Sequence, residues 1–202
     1  MRRTDRRRRL EAAALASPLV PGGVQYLALL RGINVGGKNL VKMADLRAAV
    51  EEMGFADVAT YIQSGNLLFT APRQKRDELA ARIESELSRR FGLEQRVVLL
   101  THAELTGVVE GAPGGFGAES HRCDVIFLRK PLTVKGVFGL FETKEGVDSA
   151  WPGKGVVYFS RLAARASSSR LSKIVMLPEY KNMTIRSWST TKKLLALMDS
   201  RG

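Results

Sequence analysis

Residues 31–39 read RGINVGGKN, and Gly32, Gly37 and Lys38 within them keep the spacing of a phosphate-binding P-loop: glycine, four residues, glycine, lysine. A P-loop cradles phosphate on backbone amides at a helix N-terminus and holds magnesium with a Ser or Thr hydroxyl. Asn39 stands at the hydroxyl position and cannot replace it. The helical pattern starts near Met43 rather than directly after Lys38, so the helix dipole points elsewhere. Neither VVLLTH nor VIFLRK carries the aspartate that such a site needs at a strand end. What remains is an anion-binding composition: Arg31 and Lys38 supply charge, Asn34 and Asn39 supply amides, and Gly32, Gly36 and Gly37 supply accessible backbone. The same glycines suit a long strand-to-helix connection that only satisfies backbone geometry, and the residues leave both readings open.

Two further polar clusters could join a site. One is Gln63, Ser64 and Asn66 around Gly65; the other is Ser172-Lys173 with Thr184, Arg186, Trp188, Thr190 and Lys193. From these, Gln63, Ser64, Asn66, Lys173 and Arg186 are added to the candidate ligand contacts. Arg186 is expected to keep its head in solvent, Trp188 to pack inward and Thr190 to cap the last helix. Enzyme constellations are scarce. His102 and His121 are far apart with no zinc-like spacing, so no metal is expected. Ser64 lacks a G-x-S-x-G elbow. Glu51, Glu52, Glu84 and Glu86 read as solvated helix faces beside arginines. No reaction and no cofactor is indicated.

Regular elements must place these groups. VQYLALLR (24–31) is an apolar run of strand length, and MADLRAAVEEMG places Leu46, Ala49, Val50 and Met53 at helical spacing. DVATYIQ and NLLFTA are strands joined by Ser64-Gly65 in a hairpin. A helix over 74–91 carries Leu79, Ile83 and Leu87 and stops at Gly92, and a strand follows at 95–101. The order from 24 to 101 is βαββαβ, the ferredoxin-like unit. In that order the first loop and the hairpin need not lie at the same end of the sheet.

Thr101 and Glu104 have capping-box spacing, which predicts a linking helix from His102 to about Glu110 before a glycine-rich loop, so that 102–121 joins two halves. From 122 the pattern repeats less regularly: a strand at 122–128, a helix at 134–141, strands near Val147 and at 155–160, a helix over 162–176, a strand at MTIRSW and a final helix. The expected architecture is α+β, two ferredoxin-like subdomains (24–101 and 122–202) with antiparallel sheets in one compact body.

Composition fits such a body. The 202 residues are 45% hydrophobic and 26% charged, and no apolar run reaches the roughly eighteen residues of a membrane span. Cys123 is the single cysteine, which excludes an intramolecular disulfide and fits the cytoplasm; within HRCDVIFL it reads as core. Net charge is +12. Residues 1–23, read as a disordered basic extension, hold six arginines, yet the rest keeps 26 basic and 18 acidic residues. The body is thus basic in its own right, which favours phosphate-bearing or other anionic partners.

ALLRGINVGGKN, VKMADLR and TYIQSGNLLF resemble the opening of the bacterial family called domain of unknown function 1697, and TIRSWSTTKKL resembles its closing motif. Ser187 stands where the family usually has Asn. The resemblance implies paired ferredoxin-like subdomains and no established activity. The function expected is a cytoplasmic protein that binds an anionic molecule. The alternative is nucleic-acid binding through the basic surface and N-terminal arm, although the aromatic signature of an RNA-recognition sheet is missing.

Overall fold

The structure, a computed structural model, describes residues 22–34 and 40–201. Most of the basic extension, and Gly36, Gly37, Lys38 and Asn39 of the first loop, lie outside the described residues. The first half runs β1 (Gly23–Leu30), α1 (Met43–Glu52), β2 (Ala56–Tyr61), β3 (Asn66–Pro72), α2 (Arg76–Phe91) and β4 (Val97–Thr101), in sheet order β2-β3-β1-β4 with every pair antiparallel. α3 (His102–Glu110) follows directly, and its capping box at Thr101 and Glu104 is formed as the spacing predicts. Gly92 ends α2 in the left-handed conformation.

The second half repeats the plan: β5 (His121–Leu128), α4 (Val134–Val137), β6 (Asp148–Pro152), β7 (Val156–Leu162), α5 (Leu171–Ile174) and β8 (Met183–Ser187), in order β6-β7-β5-β8, again antiparallel. α6 (Trp188–Asp199) closes the chain as α3 closes the first half. Two expected helices are much shorter. The 134–141 stretch keeps one α-helical turn before 3₁₀ geometry, in keeping with the poor helix propensity of Gly136 and Gly139. Over 162–176 the chain is 3₁₀ from Ala163 to Ser168, non-helical at Arg165, and α-helical only at Leu171–Ile174. Its serines turn their hydroxyls on the backbone: Ser168 Oγ donates to Arg165 O at 2.9 Å, and Ser169 Oγ accepts from Leu171 N at 3.1 Å. Buried Asp148 takes the Arg170 amide at 2.9 Å. These bonds compete with the helical ladder.

VQYLALL is continuous because both faces of β1 are buried. Tyr26, Ala28 and Leu30 face α1 and α2, whereas Leu27 and Leu29 face the other half. There they join Leu68 and Val98, α3 through Leu105 and Val108, β5 through Val125 and Phe127, and α6 through Leu194 and Met198 in one shared core. Polar links cross the same boundary. Tyr158 Oη donates to the Val108 carbonyl at 2.7 Å, His102 Nε2 lies 2.6 Å from Asp199 Oδ1, and Glu84 pairs with Arg129 at 2.9 Å. Glu84 is therefore no solvated-face residue; Glu51 and Glu52 do pair with arginines on the surface. No helix among the described residues is long and apolar enough to cross a membrane. Because the Val108 carbonyl has a buried partner, Tyr158→Phe should lower stability by about 1–2 kcal/mol in urea melts with little change in slope.

Candidate ligand site

Antiparallel pairing puts the end of β1 beside the start of β3, with Leu29 opposite Asn66. The first loop and the hairpin are thus neighbours, and Leu30 N donates to Gly65 O at 2.8 Å. Gly65 has φ +74°, and a Cβ there would lie 2.4 Å from Ile33 Cγ2, so only glycine fits. Asn34, also left-handed at φ 55°, closes the loop base. Its amide donates to Val41 O (2.9 Å) and Gln63 O (3.2 Å), and its Oδ1 accepts from Val41 N (2.7 Å). One side chain therefore pins both ends of the loop and ties them to the hairpin.

Asn66 is fully buried. Its amide donates to Tyr61 O (2.9 Å) and Ser64 Oγ (3.1 Å), while its Oδ1 accepts from Arg186 Nε at 2.6 Å. Arg186 does not keep its head in solvent: it is 8% exposed. Nη2 donates to the carbonyls of Leu30 (2.7 Å), Ser64 (2.8 Å) and Gly65 (3.3 Å), and Nη1 to Ile185 O (2.9 Å). No carboxylate pairs with it among the described residues. Burial pulls the guanidinium down to about 10, the Tyr180 phenol opposes this, and the group stays charged at neutral pH.

The next two residues continue the junction. Ser187, rather than Thr190, caps α6, its Oγ accepting from Thr190 N at 3.2 Å. Serine is among the residues best suited to this N-cap position. Trp188 packs inward as expected, edge-on to Phe116 at 5.2 Å and against Gly117. Lys173 is engaged elsewhere, with Glu142 at 2.7 Å. Cys123 is buried and accepts from Gly117 N at 3.2 Å; burial pushes its thiol up, away from nucleophilic use.

Arg31 leaves β1 and places its guanidinium over the Tyr180 ring at 4.6 Å. Its Nε is buried and has no hydrogen-bond partner among the described residues. Leu40, 76% exposed, and Ile62, 49% exposed, flank this corner. Ile62 has φ 49°, a costly conformation for a β-branched residue. Tyr180, Leu40 and Ile62 escape a search for polar clusters; the one sequence signal is an isoleucine inside an otherwise polar turn, YIQSGN.

Two ferredoxin-like halves clamped by a buried arginine, with a cationic loop at their junction, define the class of the protein. A family model described as "Protein of unknown function (DUF1697)" matches residues 24–158, and the chain belongs to that family. The closing stretch TIRSWSTTKKL lies beyond the matched span. The conserved bacterial protein SP0830 from Streptococcus pneumoniae has a similar structure, at 28% identity and a TM-score of 0.77, over 87% of this chain and 98% of that one. No curated protein matches the chain.

Two outcomes follow for the junction. Arg186→Ala should cost about 3 kcal/mol or more in urea melts because it strands buried acceptors, and Arg186→Lys should recover little, since an ammonium lacks the fork. Ile62→Asn should raise stability by about 1 kcal/mol by relieving the left-handed strain.

Proposed function

We propose that the protein binds a phosphate-bearing or otherwise anionic molecule at the end of β1 and works in the cytoplasm. The observation that carries this reading is Arg31, a cation fixed over Tyr180 whose buried Nε has no acceptor among the described residues. A buried donor left unsatisfied costs about 1–3 kcal/mol, which an anion in the loop would offset. Lys38 and Asn39 add an ammonium and an amide to the same loop, and Gly36 and Gly37 add backbone donors without side chains in the way. Asn34 holds the loop base, while Asn66, Ser64 and Arg186 hold the wall behind it. Costly backbone at Ile62 beside exposed Leu40 is the kind of strain that clusters at ligand clamps. The net charge of +12 supports an anionic partner, and the lone thiol of Cys123 fits a reducing compartment.

Nucleic-acid binding is the weaker reading. The sheet faces that an RNA-recognition module would use are buried in the shared core, which leaves that reading only the basic surface and the arm.

A thermal-shift series with pyrophosphate and ribose 5-phosphate tests the proposal. At one hundred times its dissociation constant a ligand should add about 2.7 kcal/mol, and Arg31→Ala and Lys38→Ala should each remove the response while melting as the unliganded protein does. A wild-type melting temperature unmoved by every anion would remove the basis for this function.

A further inference from the structure

A second concavity, a cleft of about 640 Å³, opens between the halves along β4; Arg31, Asn34, Gln63 and Ile62 do not line it. β4 is an edge strand, with β1 its only sheet neighbour among the described residues. In an antiparallel pair alternate residues turn their N–H and C=O toward the neighbour, and those between turn them outward. Val97 and Thr101 are outward residues: Val97 N donates to Glu84 Oε1 at 2.8 Å and Thr101 N to Glu104 Oε2 at 2.9 Å. Arginines at the cleft hold both carboxylates, Arg129 on Glu84 and Arg76 on Glu104. Leu99 lies midway in the same phase, so its N–H and C=O also face outward, and no side chain or loop among the described residues engages them.

This edge suits one kind of guest. An incoming strand needs several open residues in a row, and its carbonyls would meet Glu84 and Glu104. A single open residue instead offers one donor and one acceptor side by side, the complement of the edge of a nucleobase. Leu100 and Leu132, both half-buried, line the cleft as apolar surface for a flat ring. At the mouth, Lys130 pairs with Asp77 at 3.0 Å, but both are largely exposed, so the pair is weak and easily exchanged. Lys154 has no partner among the described residues. The volume falls within the range of small-molecule sites, about 300–1,000 Å³.

We propose that this cleft binds a nucleotide, with the base edge on the Leu99 backbone, the ring against Leu100 and Leu132, and the phosphates on Lys130 and Lys154. It is a site distinct from the one at the end of β1. Titration of the full chain with ADP or UDP, followed by amide NMR and thermal shift, tests it. At least one of the two should move the Leu99 amide resonance and raise the melting temperature. Arg31→Ala, which silences the β1 loop toward the shared phosphate chemistry, should keep a rise, and in that background Lys154→Glu, a surface change that should not disturb folding, should abolish it, as should Leu132→Trp, which fills the cleft. A Leu99 amide and melting temperature indifferent to both nucleotides would overturn the proposal. So would a rise in the Arg31→Ala background that survives Lys154→Glu, whereas a wild-type rise lost altogether in Arg31→Ala would place the nucleotide at the β1 loop and overturn the cleft site.

Discussion

Arg186 carries a full positive charge into a place nearly closed to water, and no acid among the described residues neutralises it. Burying such a charge costs several kcal/mol unless hydrogen bonds replace its hydration. Here the replacement is an amide oxygen and four backbone carbonyls, all of which must converge on one planar fork. Three of those carbonyls, from Leu30, Ser64 and Gly65, belong to the other half. Hence Gly65 has to turn left-handed without a side chain, Asn66 has to be buried with its oxygen aimed at Nε, and β1 has to end where it does.

The same three-residue run extends the constraint outward. Arg186 grips the first half, Ser187 starts α6, and Trp188 packs that helix against Phe116 and Gly117 of the connection between the halves. β8 therefore serves as the clasp of the molecule, and the two arginines near Tyr180 divide the work. Arg186 spends its donors on the protein and fixes the wall of the corner. Arg31 has one buried donor without a partner among the described residues. If the proposed anion binds there, a rigid wall behind the loop would orient it with little reorganisation.

The sequence pattern shows most of the architecture, because local signals decide it. The capping box at Thr101 and Glu104, the αL stop at Gly92 and the period-two burial of β1 each act over a few residues. Less of the site is legible. Whether the first loop meets the hairpin depends on strand register, a long-range matter settled by Leu29 facing Asn66. An arginine between Ile185 and Ser187 reads as a surface residue until its carbonyl partners, more than 100 residues away in the chain, are in place. Glu84 misleads in the same way, since its partners Val97 and Arg129 come from a strand and from the other half. Ser168 and Ser169 compete with a helix through side-chain bonds that periodicity does not register.

The Arg186 guanidinium, through Asn66 and the hairpin carbonyls, couples the two halves. A double-mutant cycle of Arg186→Met and Asn66→Ala, read by urea unfolding, measures that coupling across the junction. The expected interaction energy is about 1.5–3 kcal/mol, the range of a buried charge-assisted hydrogen bond, with a single cooperative transition in every variant that folds. Additive losses, with a coupling indistinguishable from zero, would show that the arginine does not join the halves.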